Sequence, residues 1–362
     1  MLLSDLGAEV IKIERPGGDG MRQWPPISNG YSENFASLNR NKKSVVLDLK
    51  ETRDLECARA LAGTAHVLIE NNRPGAMSRL GLGYEVLCAT NPALVYCSIS
   101  AYGQSGPRAQ EGGFDVVLQA VSGVMSVTGE PDGAPVKCGV PISDFSSGLY
   151  AASAITAALR AAEQSGLGSH LDVSLLGASL GVAALQTSEY FGSGKIPRKL
   201  GSAHPRNAPY QAFRARDGHF VMAAGNDGLW HAVCDVLGNP DIASDPRFET
   251  TALRAMHQDV LKSLIEGYLS DWTIEDALSR FRAAGVPCGP INDYESALSD
   301  PQVQAMGWVQ PIDLPGGKKS KSFGPAVRIN GKQGHIRGAP PALGADTEDV
   351  LAELAQSRTQ TG

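Results

Sequence analysis

Residues 44–70, SVVLDLKETRDLECARALAGTAHVLIE, decide the fold. SVVLDL (44–49) is a short, continuous apolar run of strand type. A helix follows from Glu51 to about Ala62, and AHVLIE (65–70) is the next strand, closed by the turn Arg73-Pro74-Gly75. Short apolar strands separated by a helix imply a parallel arrangement. The same rhythm extends outward. EVIKIE (9–14) precedes the unit and ends in the turn RPGGDG. LVYCSIS (94–100) follows it and ends in a Gly/Ser/Pro-rich loop, 102–113. HLDVSLL (170–176) leads into an alanine- and glycine-spaced helix. Continuous apolar strands alternating with helices predict a mostly parallel sheet covered on both faces. Ligands of such sheets bind at the carboxyl ends of the strands, where these loops lie.

The pattern changes after a polar, Gly- and Pro-bearing linker at 192–209. YQAF-RARDG-HFVMAAG (210–225) reads as a β-hairpin. Helices are expected around 227–236, 257–270 and 273–284, closed by the turn-rich GVPCGPIND (285–293). The domain expectation is a large domain over 1–200, a small α+β domain over 205–300, and a segment 306–355 returning to the large domain. That segment ends in a helix, Thr347–Leu354, capped by Asp346 or Thr347, with a frayed tail after Ala355.

Composition excludes several function classes. The 362 residues carry 32 basic and 38 acidic side chains, a net charge of −6, well mixed along the chain. This balance predicts neither a nucleic-acid nor a membrane partner. The apolar runs are broken by Ser, Gly or Asp and none is of membrane-spanning length. MLLSDLGAEV (1–10) lacks the basic region of a signal peptide. Six cysteines (57, 88, 97, 138, 234 and 288) form no CxxC and read as reduced, mostly buried thiols of a cytoplasmic protein. Seven scattered histidines show no HxH or HExxH spacing, so no metal site is expected.

One carboxylate stands out. GVPISDFSSGLY (139–150) places Asp144 just before the alanine-rich run AASAITAALRAA (151–162), which reads as a long buried helix. Helix N-termini offer unpaired N–H groups and partial positive charge, which keep a carboxylate ionised and stabilise an anion formed beside it. Asp144 is thus a candidate nucleophile. A plain N-cap is the competing reading.

An ordered set of strings resembles the class III CoA-transferases, the CaiB/BaiF type, which also include acyl-CoA racemases. They are LGAEVIKIERPGGD (6–19), NRNKKSVVLDLK (39–50), IENNRPGAMSRLGLGYE (69–85), SISAYGQSGP (98–107), AVSGVMSVTG (120–129), PISDFSSGLYA (141–151), PYQAFRARDGHF (209–220) and GVPCGPIND. The wording NRNKKS, GSAHP…PYQAF and AAGN is similar to the succinyl-CoA:glutarate branch. The resemblance implies an α/β fold with a Rossmann-like large domain and an interlocked homodimer. It implies acyl-CoA and a small carboxylic or dicarboxylic acid as substrates, with no permanently bound cofactor. It makes Asp144 the nucleophile that carries, in turn, an acyl anhydride and a CoA thioester. CoA contacts carry over to Arg15, to Leu47, Asp48, Leu49 and Lys50, to Asn71, Asn72, Arg73 and Arg79, and to Gly113, Phe114, Asp115 and Val116.

Each of these residues has a plainer reading as well. Arg15, Arg73 and Arg79 can be solvated turn arginines, and Lys42 and Lys43 an exposed basic turn. Asp115 fits an N-cap for the helix starting at FDVVLQAV. Asp172, inside an apolar strand, fits a buried hydrogen-bonded role. His204 is either a recognition residue for a substrate carboxylate or a loop histidine.

Departures from the family pattern narrow the activity. Racemase members have a His before the Asp that corresponds to Asp115. Phe114 stands there and cannot move a proton. The glycine run of the formyl-CoA transferase branch is replaced by LGSAHPRNAPYQAF (200–213), which argues against oxalate/formate specificity. A family strand and turn ahead of LGAEVIKIERPGGD are not found in MLLSDLGA, and a missing first strand is expected. The competing functions are an acyl-CoA racemase or epimerase and a truncated CoA-binding protein without catalysis.

Overall fold

The computed structural model describes the backbone of residues 1–361 and the side chains of residues 1–356. The chain divides into two compact units. The first comprises residues 1–122, 140–182 and 298–362, and the second 123–139 and 183–297. Residues 123–139 and 183–200 therefore group with the second unit, not with a large domain running through residue 200.

The first unit holds the βα rhythm. A short helix α1 (Leu2–Asp5) leads to β1 (Val10–Glu14). Next come β2 (Lys42–Val46), α2 (Thr52–Thr64), β3 (Val67–Glu70) and β4 (Val95–Ser100). After these lie α3 (Asp115–Val121), α4 (Ile142–Ser165), β5 (Ser169–Ser174) and α5 (Leu175–Val182). All strand pairs among these five are parallel, as expected. They do not form one sheet, however. β1 pairs with β2, and β3–β4–β5 form a separate three-stranded set.

Side-chain packing joins what backbone pairing does not. Val45 and Leu47, at the end of β2, share one apolar cluster with Tyr96 of β4, Ala58 and Ala62 of α2, and Val350; Ile11 and Leu68 pack against it. Val95 and Cys97 point the other way and pack against Ala151, Ile155, Ala158 and Ala162 of α4. This alternation is the two-residue period of a strand covered on both faces. The alanines of α4 let the helix lie close to the strands without a bulky ridge.

The C-terminal segment closes the far edge of β2. The Asp346 carboxylate accepts from Ser44 N–H (2.8 Å) and the Thr347 hydroxyl from Val46 N–H (3.0 Å). Both residues, expected as caps, satisfy strand donors. The final helix runs Thr347–Thr361, longer than expected. The fraying expected after Ala355 concerns residues whose side chains, from 357 on, lie outside the described ones.

The second unit contains the expected hairpin, β6 (Tyr210–Ala215) and β7 (Gly218–Ala223). A third strand, β8 (Cys288–Pro290), pairs antiparallel with β7 inside the segment read as turn. Three residues are too short for any periodic signal. Helices Asp227–Val236, Gln258–Leu269 and Ile274–Ala283 cover this sheet. Their core is aromatic, with Trp230, Phe213, Phe220, Phe248 and Phe281 all buried. Of the six cysteines only Cys97 and Cys234 are buried. Burial pushes these two thiols up to about 11 and about 12. Among the described residues no helix is long and apolar enough to cross a membrane.

Candidate active site

α4 begins at Ile142, so Asp144 sits inside its first turn and is not the N-cap. The cap position is Pro141, which offers no side-chain acceptor. The acceptor comes from another helix. Asp115, in the first turn of α3, accepts from Ser143 N–H (2.9 Å) and, at longer range, from Asp144 N–H (3.4 Å). Asp115 therefore caps α4, not α3, whose own N-cap residue, Phe114, makes no side-chain cap bond. The Gln119 amide donates to the second Asp115 oxygen (2.6 Å) and holds the carboxylate in this orientation. Ser179 of α5 donates to Ser143 Oγ (2.8 Å), pinning the same turn from a third helix.

Asp144 itself is exposed to solvent, yet its surroundings penalise the charge. Burial first, and the neighbouring Asp115 second, push its carboxyl above the ordinary aspartate value. A helix N-terminus alone would act in the opposite direction. Here Asp115 occupies the N–H groups that would otherwise lower it. A carboxylate that is reachable and more basic than usual is suited to attack an acyl carbonyl.

The residues matched to CoA contacts lie at the carboxyl ends of the parallel strands. Arg15 follows β1 and is exposed; its Nε donates to Gly18 O (3.1 Å), which shapes the RPGG turn. Leu47, Asp48, Leu49 and Lys50 form the turn after β2. Leu47 is buried in the core, so its role is packing, whereas Lys50 is exposed. Asn71, Asn72 and Arg73 follow β3 and are exposed; the Asn71 amide donates to Ile99 O (2.8 Å). Arg79 is exposed. Gly113 has no room for a side chain, since a Cβ there would lie 2.4 Å from Leu118 Cδ2 and 2.8 Å from Ala101 Cβ. Phe114 (82% exposed) and Val116 (46% exposed) project outward beside it. Arg15, the two asparagines and Arg73 thus share one end of the strand layer with the 102–113 loop.

Asp172 is exposed, contrary to the expectation of burial. Its carboxylate accepts from Gln104 N–H (2.9 Å), tying down the loop after β4. Lys42 is only partly exposed, and burial lowers its ammonium to about 8; Lys43 pairs with Glu9 (3.0 Å). Neither is a free basic turn.

His204 belongs to the second unit. Its Nδ1 accepts from Arg206 N–H (3.2 Å) and Asn207 N–H (3.1 Å). That fixes the neutral tautomer with the proton on Nε2. Burial, then the Arg206 charge, lower its pKa. Sequence reading missed Gln119, Ser143 and Ser179. Their only signal was small polar residues at helical spacing in otherwise apolar helices. Among the described residues no three His, Cys, Asp or Glu side chains converge as a metal-ligand set.

Comparison with known proteins agrees with this arrangement. The model of CoA-transferase family III matches residues 1–347. A succinate–glutarate CoA-transferase of Agrobacterium fabrum is 39% identical over 361 residues, spanning 98% of this chain and 90% of that protein. An acetyl-CoA:oxalate CoA-transferase of Acetobacter aceti is 39% identical over 348 residues, 90% of each chain. The crystal structure of a CAIB/BAIF family protein from Brucella suis superposes with a TM-score of 0.84 at 38% identity, covering 98% of this chain and 93% of that one. Identity of this depth over the whole chain, on a matching fold, settles membership: the chain belongs to CoA-transferase family III.

Proposed function

We propose that the enzyme moves CoA from succinyl-CoA to a small carboxylic or dicarboxylic acid by covalent catalysis at Asp144. The observation that carries this is the placement of Asp144: exposed, on a helix turn pinned by two other helices, with its carboxyl shifted toward greater basicity. The Asp144 carboxylate attacks the donor thioester carbonyl. The C–S bond breaks, giving an aspartyl–acyl anhydride and CoA thiolate. The thiolate attacks the Asp144 carbonyl and expels the donor acid, leaving an aspartyl-CoA thioester. The acceptor carboxylate attacks that thioester, forming a second anhydride and releasing the thiolate. The thiolate then takes the acceptor acyl group and frees Asp144. One thioester is made for each one broken, so no external energy source is required. Anhydrides hydrolyse, so water must be excluded during turnover.

Arg15, Arg73 and Arg79 are proposed to meet the CoA phosphates, for which guanidinium forks are suited, and Lys50 to lie beside the adenine end. His204 is proposed to donate its Nε2–H to a substrate carboxylate. Phe114 opposes a racemase reading, because no acid/base group stands at that position. A homodimer is proposed from exposed apolar side chains on both units, among them Leu149 (55%), Phe191 and Ile196 (81% each). Six scattered cysteines with no CxxC spacing support a reducing, cytoplasmic setting.

The test is trapping. Borohydride or hydroxylamine added with succinyl-CoA is expected to label Asp144, located by peptide mass spectrometry. Asp144→Ala is expected to bind CoA but lose transfer by several orders of magnitude. Transfer surviving in Asp144→Asn, with deamidation excluded, would sink the assignment. A panel of acceptors including glutarate and oxalate names the acid.

A further inference from the structure

We infer that Asp115 is the positioning residue of the nucleophile: its carboxylate fixes the first turn of α4 and keeps a second negative charge beside Asp144. The inference rests on the reading of Asp144 as the covalent carboxylate. The geometry gives Asp115 a role unlike that of an ordinary cap. It caps a helix 28 residues away in sequence, while the N-cap position of its own helix has no side-chain bond. It is oriented by the buried Gln119 one turn along α3, and its target turn is held independently by Ser179. A stability cap needs none of this support. A nucleophile that must be placed to within a fraction of an ångström does.

The charge matters as well as the bond. α5, LLGASLGV, carries no titratable side chain, and α3, DVVLQAV, carries only Asp115. Tyr96 and Cys97 of β4 and His170 and Asp172 of β5 belong to strands packed against the later turns of α4. On α4 itself Tyr150, Arg160 and Glu163 lie six or more residues beyond Asp144. Of all these groups Asp115 is the one whose charge acts on Asp144. Removing that charge makes Asp144 a weaker base, and a weaker base is a weaker nucleophile toward the thioester.

The experiment reads the first half-reaction alone: single-turnover release of the donor acid from succinyl-CoA at subsaturating donor, across pH. In Asp115→Asn the amide oxygen still accepts from Ser143 N–H, and Gln119 turns its own amide to match. We expect the acid limb of the rate profile to move to lower pH and the plateau to fall about tenfold. Donor ionisation cancels between the two enzymes. Asp115→Ala also loses the cap and is expected to fall roughly 100-fold. An unchanged acid limb in Asp115→Asn, with Asp144 still trapped in the parent enzyme, would overturn the inference and leave the nucleophile assignment standing. No label on Asp144 in the parent would overturn both.

Discussion

Glu14→Gln tests how the strand layer holds the proposed CoA end of the first unit. Glu14 ends β1, and its side chain is 1% exposed against 13% for its partner Arg22. The carboxylate accepts four bonds, from Arg22 Nε (2.8 Å) and Nη2 (2.6 Å), Ser44 Oγ (2.7 Å) and Asp19 N–H (3.0 Å). Those donors come from β2 and the turn that follows β1, so one side chain ties three segments together. The amide in Glu14→Gln keeps the shape but faces donors with an NH₂ group, and Arg22 loses its counter-ion. Breaking one partner of a buried pair costs about 3–5 kcal/mol. Arg22 retains Pro341 O (3.0 Å) and stacks 3.9 Å from the Phe35 ring centre, which places the cost near the low end, about 3 kcal/mol. Burial alone would raise the Glu14 carboxyl, but the bonds from Arg22, Ser44 and Asp19 outweigh it and hold it below the ordinary value. A depressed carboxyl contributes stability above its unfolded pKa of about 4.3, and loses it as pH falls through the folded value. The parent-minus-variant difference in urea midpoint, at constant m, is therefore expected to be full at neutral pH and to shrink below roughly pH 4. The same change loosens the turn carrying Arg15, so CoA-ester affinity should drop about 3–10-fold. A stability loss under about 1 kcal/mol at pH 7, or a difference that grows in acid, would refute the reasoning.

Two further outcomes follow from named contacts. Arg15→Ala should weaken donor and product CoA esters alike by about 1–3 kcal/mol, measured by isothermal titration; altered acyl preference at unchanged CoA affinity contradicts the nucleotide assignment. Arg254 is fully buried and donates to Ala208 O (2.8 Å), Phe248 O (2.9 Å), Thr251 Oγ1 (2.9 Å) and Asp227 Oδ1 (2.7 Å). Arg254→Ala strands two buried carbonyls and should cost about 3–5 kcal/mol by denaturation, with Arg254→Lys recovering only part; a cost near zero would show that water replaces the guanidinium freely.

Much of the fold was legible because its strands are continuous apolar runs and its helices are long. Each of the five expected parallel strands exists, displaced by no more than three residues at either end. The displacement at β2 is informative. SVVLDL looks like a strand through Leu49, but the chain leaves β2 at Val46 and turns, because Asp48 binds Asp54 and Lys50 locally and not a neighbouring strand. The Asp48 carboxylate accepts from Lys50 N–H (3.0 Å), and the Asp54 carboxylate from Asp48 N–H (2.8 Å). Apolar periodicity does not report such side-chain competition for backbone groups. The split between β1–β2 and β3–β4–β5 was invisible for a related reason. Hydrophobic pattern specifies which face a strand buries, not which neighbour it bonds.

At the site, the legible part was the residue proposed to do the chemistry, and the illegible part was what holds it. PISDFSSGLYA singles out Asp144 through the family resemblance, since position alone leaves it a plain N-cap candidate. Asp115 and Gln119 carry no such mark. In sequence, FDVVLQAV is a helix start with an acid in its first turn, for which self-capping is the expected role. Only in three dimensions does the carboxylate reach the N–H of Ser143 instead of its own helix. That choice has a chemical consequence. The N-terminal N–H groups of α4 could have served Asp144 directly, and would then have made it a more acidic and poorer nucleophile. With Asp115 as the acceptor, the helix end is satisfied without quenching Asp144, and the added charge opposes its protonated form's loss of a proton. The fold thus separates two tasks that a single N-cap aspartate would combine: one carboxylate satisfies the backbone, and the other is left free to react.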